Sequence, residues 1–176
     1  MSFTNPDKNI AQLELAESSV VAVFGSGSGG HSFAAARALR GTGKVYAIDV
    51  RKDLLTKLKS DAMKQNLINV FPILGDIEAP RGTTLEDTSV DMVIIPNTLF
   101  AYDDKPAILK EAFRITKPKG RLLIVEWRSS FSGMGPALKD IVSEQRATEL
   151  AEAIGFHTVH QIIAGDHHYG IIFRKP

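Results

Sequence analysis

Residues 20–40, VVAVFGSGSGGHSFAAARALR, constrain the fold more than any other stretch of this chain. An apolar, β-branched run empties into a glycine–serine bend and then into an alanine-rich segment, the pattern of a buried strand, a tight turn and a helix. Glycines 25, 27, 29 and 30 put no side chain between the backbone and a ligand. The helix that starts near Gly30 or His31 directs unpaired N–H groups and a partial positive charge at the same place, so an anionic ligand group is expected there.

The rest of the chain limits what can surround that bend. A length of 176 residues predicts one domain over 1–176, with residues 1–19 as a helical cap segment and no room for a separate substrate domain. A formal charge of +1, with both signs scattered along the chain, gives no basic footprint for nucleic acid. The absence of cysteine excludes a disulfide framework, a thiolate nucleophile and cysteine-ligated metal, and fits a reducing cytoplasm. No apolar run reaches membrane-spanning length, and MSFTNPDKN lacks the basic and apolar blocks of a signal peptide.

Along the chain, helix and strand patterns alternate. Residues 6–18 carry Ile10, Leu13, Leu15 and Ala16 at helical spacing, either a lid over the bend or a helix closing the sheet. Residues 44–49 form a second strand ending on Asp49, about 20 residues past the glycines, where a ribose-binding acid is placed in nucleotide-binding α/β units. A surface helix over 51–66 follows, and then a strand over 69–74 whose Pro72 argues for a sheet edge. Asp76 lies just past that strand, on the same rim as Asp49. VDMVIIP (90–96) reads as a strand buried on both faces, and PNTLF leaves it on the rim. A helix capped by Asp103 or Asp104 runs to Thr116, KPKG breaks it, and RLLIVEW (121–127) is the fifth strand. Residues 128–135 form a polar loop that either closes over a substrate or merely connects. A last helix from Ser143 to Gly155 precedes two strands, 156–163 and 169–173, close enough for a hairpin, which sets the last strand antiparallel.

Two spacings coexist in the bend. Gly25-x-Gly27-x-Gly29 fits an S-adenosylmethionine loop, and Gly25-x-Gly27-x-x-Gly30 fits a dinucleotide fingerprint. Taken with YAIDV, ILGDIE, VDMVIIPNTLF, KEAFRITKPKGRLLIVEW, AEAIGF and the terminal FRKP, the chain resembles the class I S-adenosylmethionine-dependent methyltransferases, in the small-molecule branch related to quinone-biosynthesis methyltransferases. The resemblance implies a Rossmann-like, doubly wound α/β fold: seven strands, mostly parallel, with an antiparallel C-terminal hairpin strand. It implies S-adenosyl-L-methionine as cofactor, held by Gly25, Ser26, Gly27 and Gly29 at its methionine end, Asp49 and Val50 at its ribose, Asp76 and Ile77 at its adenine, and Pro96 and Asn97 beneath its sulfonium. Thr98 falls in the same segment. One position departs from the family pattern: Val23 stands where an acid that holds the loop and the methionine amine is common.

The acceptor this implies is a small molecule. An oxygen or carbon acceptor needs a base, and a hairpin turning on the glycine-loop rim brings Asp166, His167, His168 and Tyr169 towards it, so His167 and His168 are the catalytic candidates. Their alternative reading is as solvated turn residues. Glu126, Trp127 and Arg128 end the fifth strand on that rim, while His31 reads as a helix-start residue and His157 and His160 as surface or structural positions. A metal site at Asp166, His167 and His168 is set aside because neighbouring strand residues point to opposite faces. The absence of cysteine disfavours arsenic methylation, and PNTLF lacks the Asn-Pro-Pro-Tyr type motif of nucleic-acid amino-methyltransferases. Two other functions fit parts of the pattern: an NAD(P)-binding oxidoreductase, without an obvious Tyr-x-x-x-Lys pair, and a binding module that has lost turnover.

Overall fold

The computed structural model describes residues 4–176. Its chain order is α1 (Pro6–Ala11), β1 (Val20–Phe24), α2 (Gly30–Ala38), β2 (Lys44–Asp49), α3 (Lys52–Lys64), β3 (Val70–Leu74) and β4 (Val90–Pro96), then α4 (Lys105–Ile115), β5 (Thr116–Trp127), α5 (Glu144–Ile154), β6 (His157–Ile162) and β7 (His168–Arg174). The seven strands form one sheet in the order β3-β2-β1-β4-β5-β7-β6. β1 to β5 are parallel, and β7 inserts antiparallel between β5 and β6. The sequence order reverses beside β1, and in an open α/β sheet that switch point opens a crevice at the carboxyl ends of the strands.

Apolar runs rather than alternation build the sheet, because helices cover both of its faces. On one face, Phe24, Ile48, Ile95, Leu122 and Ile124 pack with Leu109, Ala112 and Ala147 of α4 and α5. On the other, Val21, Val23, Ile94 and Val125 pack with Ile10, Phe33, Ala35 and Leu58 of α1 to α3. β3 is an edge strand, as Pro72 requires, since proline offers no ladder N–H.

Three details differ from the sequence pattern. The first helix ends at Ala11, with Asn5 as its cap, although Leu13 continues the buried stripe. KPKG does not separate α4 from a strand beginning at Arg121: Thr116 already pairs with Val90, and the ladder shifts register before Met92 meets Arg121. Lys119 absorbs the irregularity with φ +64, and its N–H donates to the Lys175 carbonyl at 3.0 Å. The last strand starts at His168 rather than Tyr169.

α1 does not close a sheet edge. It lies along α2: a side chain at Gly30, at the start of α2, would press on Pro6, and Arg37 in the last turn donates to Asp7 at 2.7 Å. Gln12 ties it to the hairpin, its Nε2 donating to the Ile163 carbonyl and its Oε1 accepting the Ile163 N–H, both at 3.0 Å. No described helix is long and apolar enough to cross a membrane.

Candidate functional site

The glycine bend leaves β1 with Gly25, Gly27 and Gly29 at φ +62, +51 and +92, a left-handed region that side chains disfavour. Gly25 is further constrained by contact, because an added Cβ would lie 2.5 Å from Thr98 Oγ1. At Gly27 the nearest atom to such a Cβ is the Gly25 carbonyl at 3.9 Å, so that side of the bend is open. Ser26 donates its N–H to the Ile48 carbonyl, and its buried hydroxyl meets no protein partner.

Asp49 holds this bend in place. Its Oδ2 accepts the Gly27 N–H and its Oδ1 the Arg51 N–H, both at 2.9 Å. A carboxylate has about four lone-pair sites, so acceptor capacity remains for a diol. Only 9% of Asp49 is exposed. Val50, next along, is exposed and shares a cavity of about 390 Å³ with Leu74, Gly75, Asp76 and Gly82. Asp76 is exposed and uses one oxygen on the Glu78 N–H at 2.9 Å, while Ile77 is buried beneath.

The far wall of that cavity is fixed from α4. Glu111, itself buried, accepts the N–H groups of Arg81 and Thr83 at 3.2 Å each and the Thr83 hydroxyl at 2.6 Å, and pairs with Arg114 at 2.7 Å. Arg114 and Thr83 hold its carboxyl below the usual range against the opposing effect of burial. Nothing in the sequence of residues 80–88 distinguishes this anchored loop from a plain connection, because its partner lies 28 residues away. Tyr102 is a further residue that the sequence did not single out. Burial raises its phenol pKa, and the charges of Asp49, Asp76 and Glu78 add to the rise, which puts the ring beside the acids of the β2 and β3 tips.

At the β4 tip, Asn97 adopts φ +50, a conformation asparagine tolerates better than most residues, and donates its N–H to the Val125 carbonyl at 2.7 Å. Its Oδ1 is buried without a protein partner. Thr98 Oγ1 donates within reach of the Pro96 carbonyl at 2.9 Å and the Phe24 carbonyl at 3.2 Å, which locks the β4 exit against the glycine bend. Beneath this turn sits Glu126, with 0% exposure. Its Oε1 accepts the N–H groups of Thr98 and Leu99 at 2.7 and 2.6 Å, and its Oε2 has no partner. Burial pushes its carboxyl up to about 7, although the backbone donors around it pull the other way.

The hairpin does turn on this rim, since His168 at the start of β7 pairs with Trp127 at the end of β5. The two candidate histidines separate there. His168 is 2% exposed, lies 4.2 Å from the Trp127 ring by centroids, and meets no hydrogen-bond partner at either nitrogen. Burial and neighbouring His167 lower its pKa to about 4, so it is a neutral imidazole at physiological pH. His167 is half-buried and stacks on Phe131 at 4.4 Å. His31 is buried as well, 3.1 Å from Asn9 Nδ2 of α1, and burial followed by the charge of His168 brings it to about 4. Asn9, His31 and His168 thus form a neutral polar group that spacing alone did not bring together, while His157 and His160 are exposed. Val23 is fully buried in the face that α1 to α3 cover.

These features fit S-adenosylmethionine: an open glycine bend, a strand-tip acid with lone pairs to spare, a second acid on a cavity of about 390 Å³, and orphaned buried polar atoms at Ser26 and Asn97. Comparison with known proteins agrees. Residues 19–172 match a family described as "Methyltransferase domain". A S-adenosylmethionine-dependent methyltransferase of Aquifex aeolicus superposes with a TM-score of 0.88 at 24% identity, over 99% of this chain and 91% of that one. Among curated relatives, a demethylmenaquinone methyltransferase of Geobacillus sp. is 29% identical over 100 residues, 57% of this chain and 42% of that protein. An arsenite methyltransferase of Halobacterium salinarum is 27% identical over 110 residues, 62% of this chain and 27% of that protein. The chain therefore spans well under half the length of these curated relatives. On the extent of the family match and the architecture together, this chain belongs to the class I S-adenosylmethionine-dependent methyltransferase family.

Proposed function

We propose that this chain is a cytoplasmic methyltransferase that moves a methyl group from S-adenosyl-L-methionine to a small-molecule acceptor. The observation that carries the reading is the gathering of Asp49, Asp76 and the glycine bend on one rim, with the orphaned Asn97 Oδ1 at the neighbouring β4 tip. When bound, S-adenosylmethionine supplies a methyl carbon already activated by the adjacent sulfonium. The protein's work is then alignment and exclusion of water.

Each residue has a physical task in this reading. Gly25, Ser26, Gly27 and Gly29 offer backbone and a hydroxyl to the methionine end, Asp49 and Val50 flank the ribose, and Asp76 and Ile77 receive the adenine edge. Pro96 and Asn97 form the floor below the reacting carbon. His168 is assigned as the base by its place, a buried ring at the start of β7 with both nitrogens unmatched by protein and within electrostatic reach of His31 of α2, although burial weakens its proton affinity. His167 walls the entrance with Phe131.

The relatives' named acceptors, arsenite and a menaquinone precursor, belong to those proteins. A chain without cysteine has no thiolate for arsenic, which favours an organic acceptor. Calorimetric titration with S-adenosylmethionine, S-adenosylhomocysteine and NAD tests the donor. Binding of both adenosyl ligands and not NAD is expected, and NAD binding alone would overturn the reading. Incubation of metabolite extracts with labelled donor then identifies the acceptor.

A further inference from the structure

We propose that Glu126 is a specificity-determining residue: its carboxylate, sealed behind the 97–99 turn, is the counter-charge that makes the site favour the cationic methyl donor over its neutral spent product. The inference rests on the reading above that the β4 exit and the glycine bend hold the donor's methionine half. Breaking the sulfur–methyl bond leaves its electron pair on sulfur, so donor and product differ by one positive charge at a single atom. Every other polar group of the ligand is common to both, and only a charge near that atom separates them.

Glu126 is placed for this role. Its Oε1 is bonded to the N–H groups of Thr98 and Leu99, the residues that follow the proposed floor at Pro96 and Asn97. Thr98 in turn touches Phe24, and its side chain fills the space that a residue larger than glycine would need at position 25. The carboxyl is thus one hydrogen bond behind the site, shielded from water, where a charge acts through a low effective dielectric. A purely structural acceptor for two N–H groups does not need its second oxygen, yet Oε2 is buried and unmatched. Such a group carries a standing desolvation penalty that a nearby cation relieves.

Few other charges compete. From β7, the Tyr169 phenol faces the carboxyl and stays protonated, its hydroxyl committed to the Val142 carbonyl at 2.7 Å. From the turn after β4 and from β5 the facing groups are the backbone N–H groups of Thr98, Leu99, Phe100 and Trp127. Arg128 and Glu144 act on Tyr169 from further out and neutralise each other in a 2.7 Å pair. His168 lies on the opposite side of β7 from Tyr169, and is neutral. Because the carboxyl titrates near neutrality, its charge, and with it the preference for the donor, rises with pH.

The test is calorimetric titration of wild type and Glu126→Gln with S-adenosylmethionine and with S-adenosylhomocysteine, each at about pH 6 and about pH 8. Glutamine keeps an acceptor oxygen for Thr98 and Leu99 and removes only the charge. Wild type should favour the donor about tenfold more strongly than the variant does at the higher pH, with the gap closing at the lower one. Equal donor-to-product ratios in the two proteins at both pH values would overturn the proposal. A measurement on wild type alone guards against a variant that does not fold: near neutral pH the donor should release more protons on binding than the product, compared in buffers of different ionisation enthalpy, and equal release overturns the proposal. Asp49→Asn separates the two readings, since it should weaken both ligands alike. If it weakens neither, or if neither ligand binds wild type, the site reading itself falls.

Discussion

The acids at the tips of β2 and β3 and the acid at the tip of β5 end neighbouring parts of one rim, yet the sheet treats them differently. Asp49 and Asp76 are bonded to backbone N–H groups through part of their capacity and keep acceptor capacity for the rest. Glu126 has a turn folded over it, and burial lifts its carboxyl to about 7. The same side chain chemistry thus yields carboxylates with acceptor capacity facing the rim on one side, and a carboxyl sealed behind a turn on the other. His31 and His168 continue the sealed side as neutral bases.

The largest effect should come from putting a second carboxylate into the buried layer beneath the rim, in addition to the one at Glu126. Val23→Asp places an acid at the position where the family commonly has one, but here that position is fully buried among Val21, Ile94 and Phe33. A destabilisation of about 3 kcal/mol or more is expected in denaturant melts. A variant as stable as wild type, with tighter donor binding, would mean that the wall yields.

Asp49→Ala probes the open side. Losing its acceptor contacts should weaken donor binding by about 1–3 kcal/mol, read as a dissociation constant roughly 5–150 times higher. An unchanged constant would remove Asp49 from the site.

Between these lie two titrations of opposite sign. Glu126 is raised in the folded state, so it contributes stability below its ordinary pKa near 4.5 that is lost as pH rises through about 7. His168 is lowered, so it contributes stability above about 6.5 that is lost as pH falls towards 4. Glu126→Gln should therefore gain thermal stability relative to wild type on going from about pH 5 to about pH 8, and His168→Phe on going from about pH 7 to about pH 4.5. Parallel melting curves for variant and wild type would show that the rim is wetter than its burial indicates. The smallest effect belongs outside both regions: Lys57→Ala removes an exposed pair with Asp61 at 2.7 Å and should change stability by less than about 0.5 kcal/mol.

The half of the rim formed by the glycine bend, Asp49 and Asp76 was legible in the sequence because each part is local. A glycine bend, an acid ending a strand about 20 residues later and another acid after the next strand are defined by spacing within one βαβ pattern. Pro72 marked its edge strand for the same reason. The sealed half was not legible, because burial there is made by distant segments. In RLLIVEW, Glu126 looks like any acid at a strand end; only the 97–99 turn and β7, more than forty residues on, close it off. His167 and His168 are equal in sequence, and the strand start that separates them is set by pairing with Trp127. KPKG looked like a break because a bulge answered by Lys175 leaves no local mark.

The amide of Gln12 grips the Ile163 peptide as a neighbouring strand would, with one donor and one acceptor. Lifting the first helix away from the second would undo both bonds at once and free the end of the hairpin whose turn leads into His168. One glutamine thereby joins the first helix to the hairpin that carries the imidazole, and a single substitution there would cut both bonds.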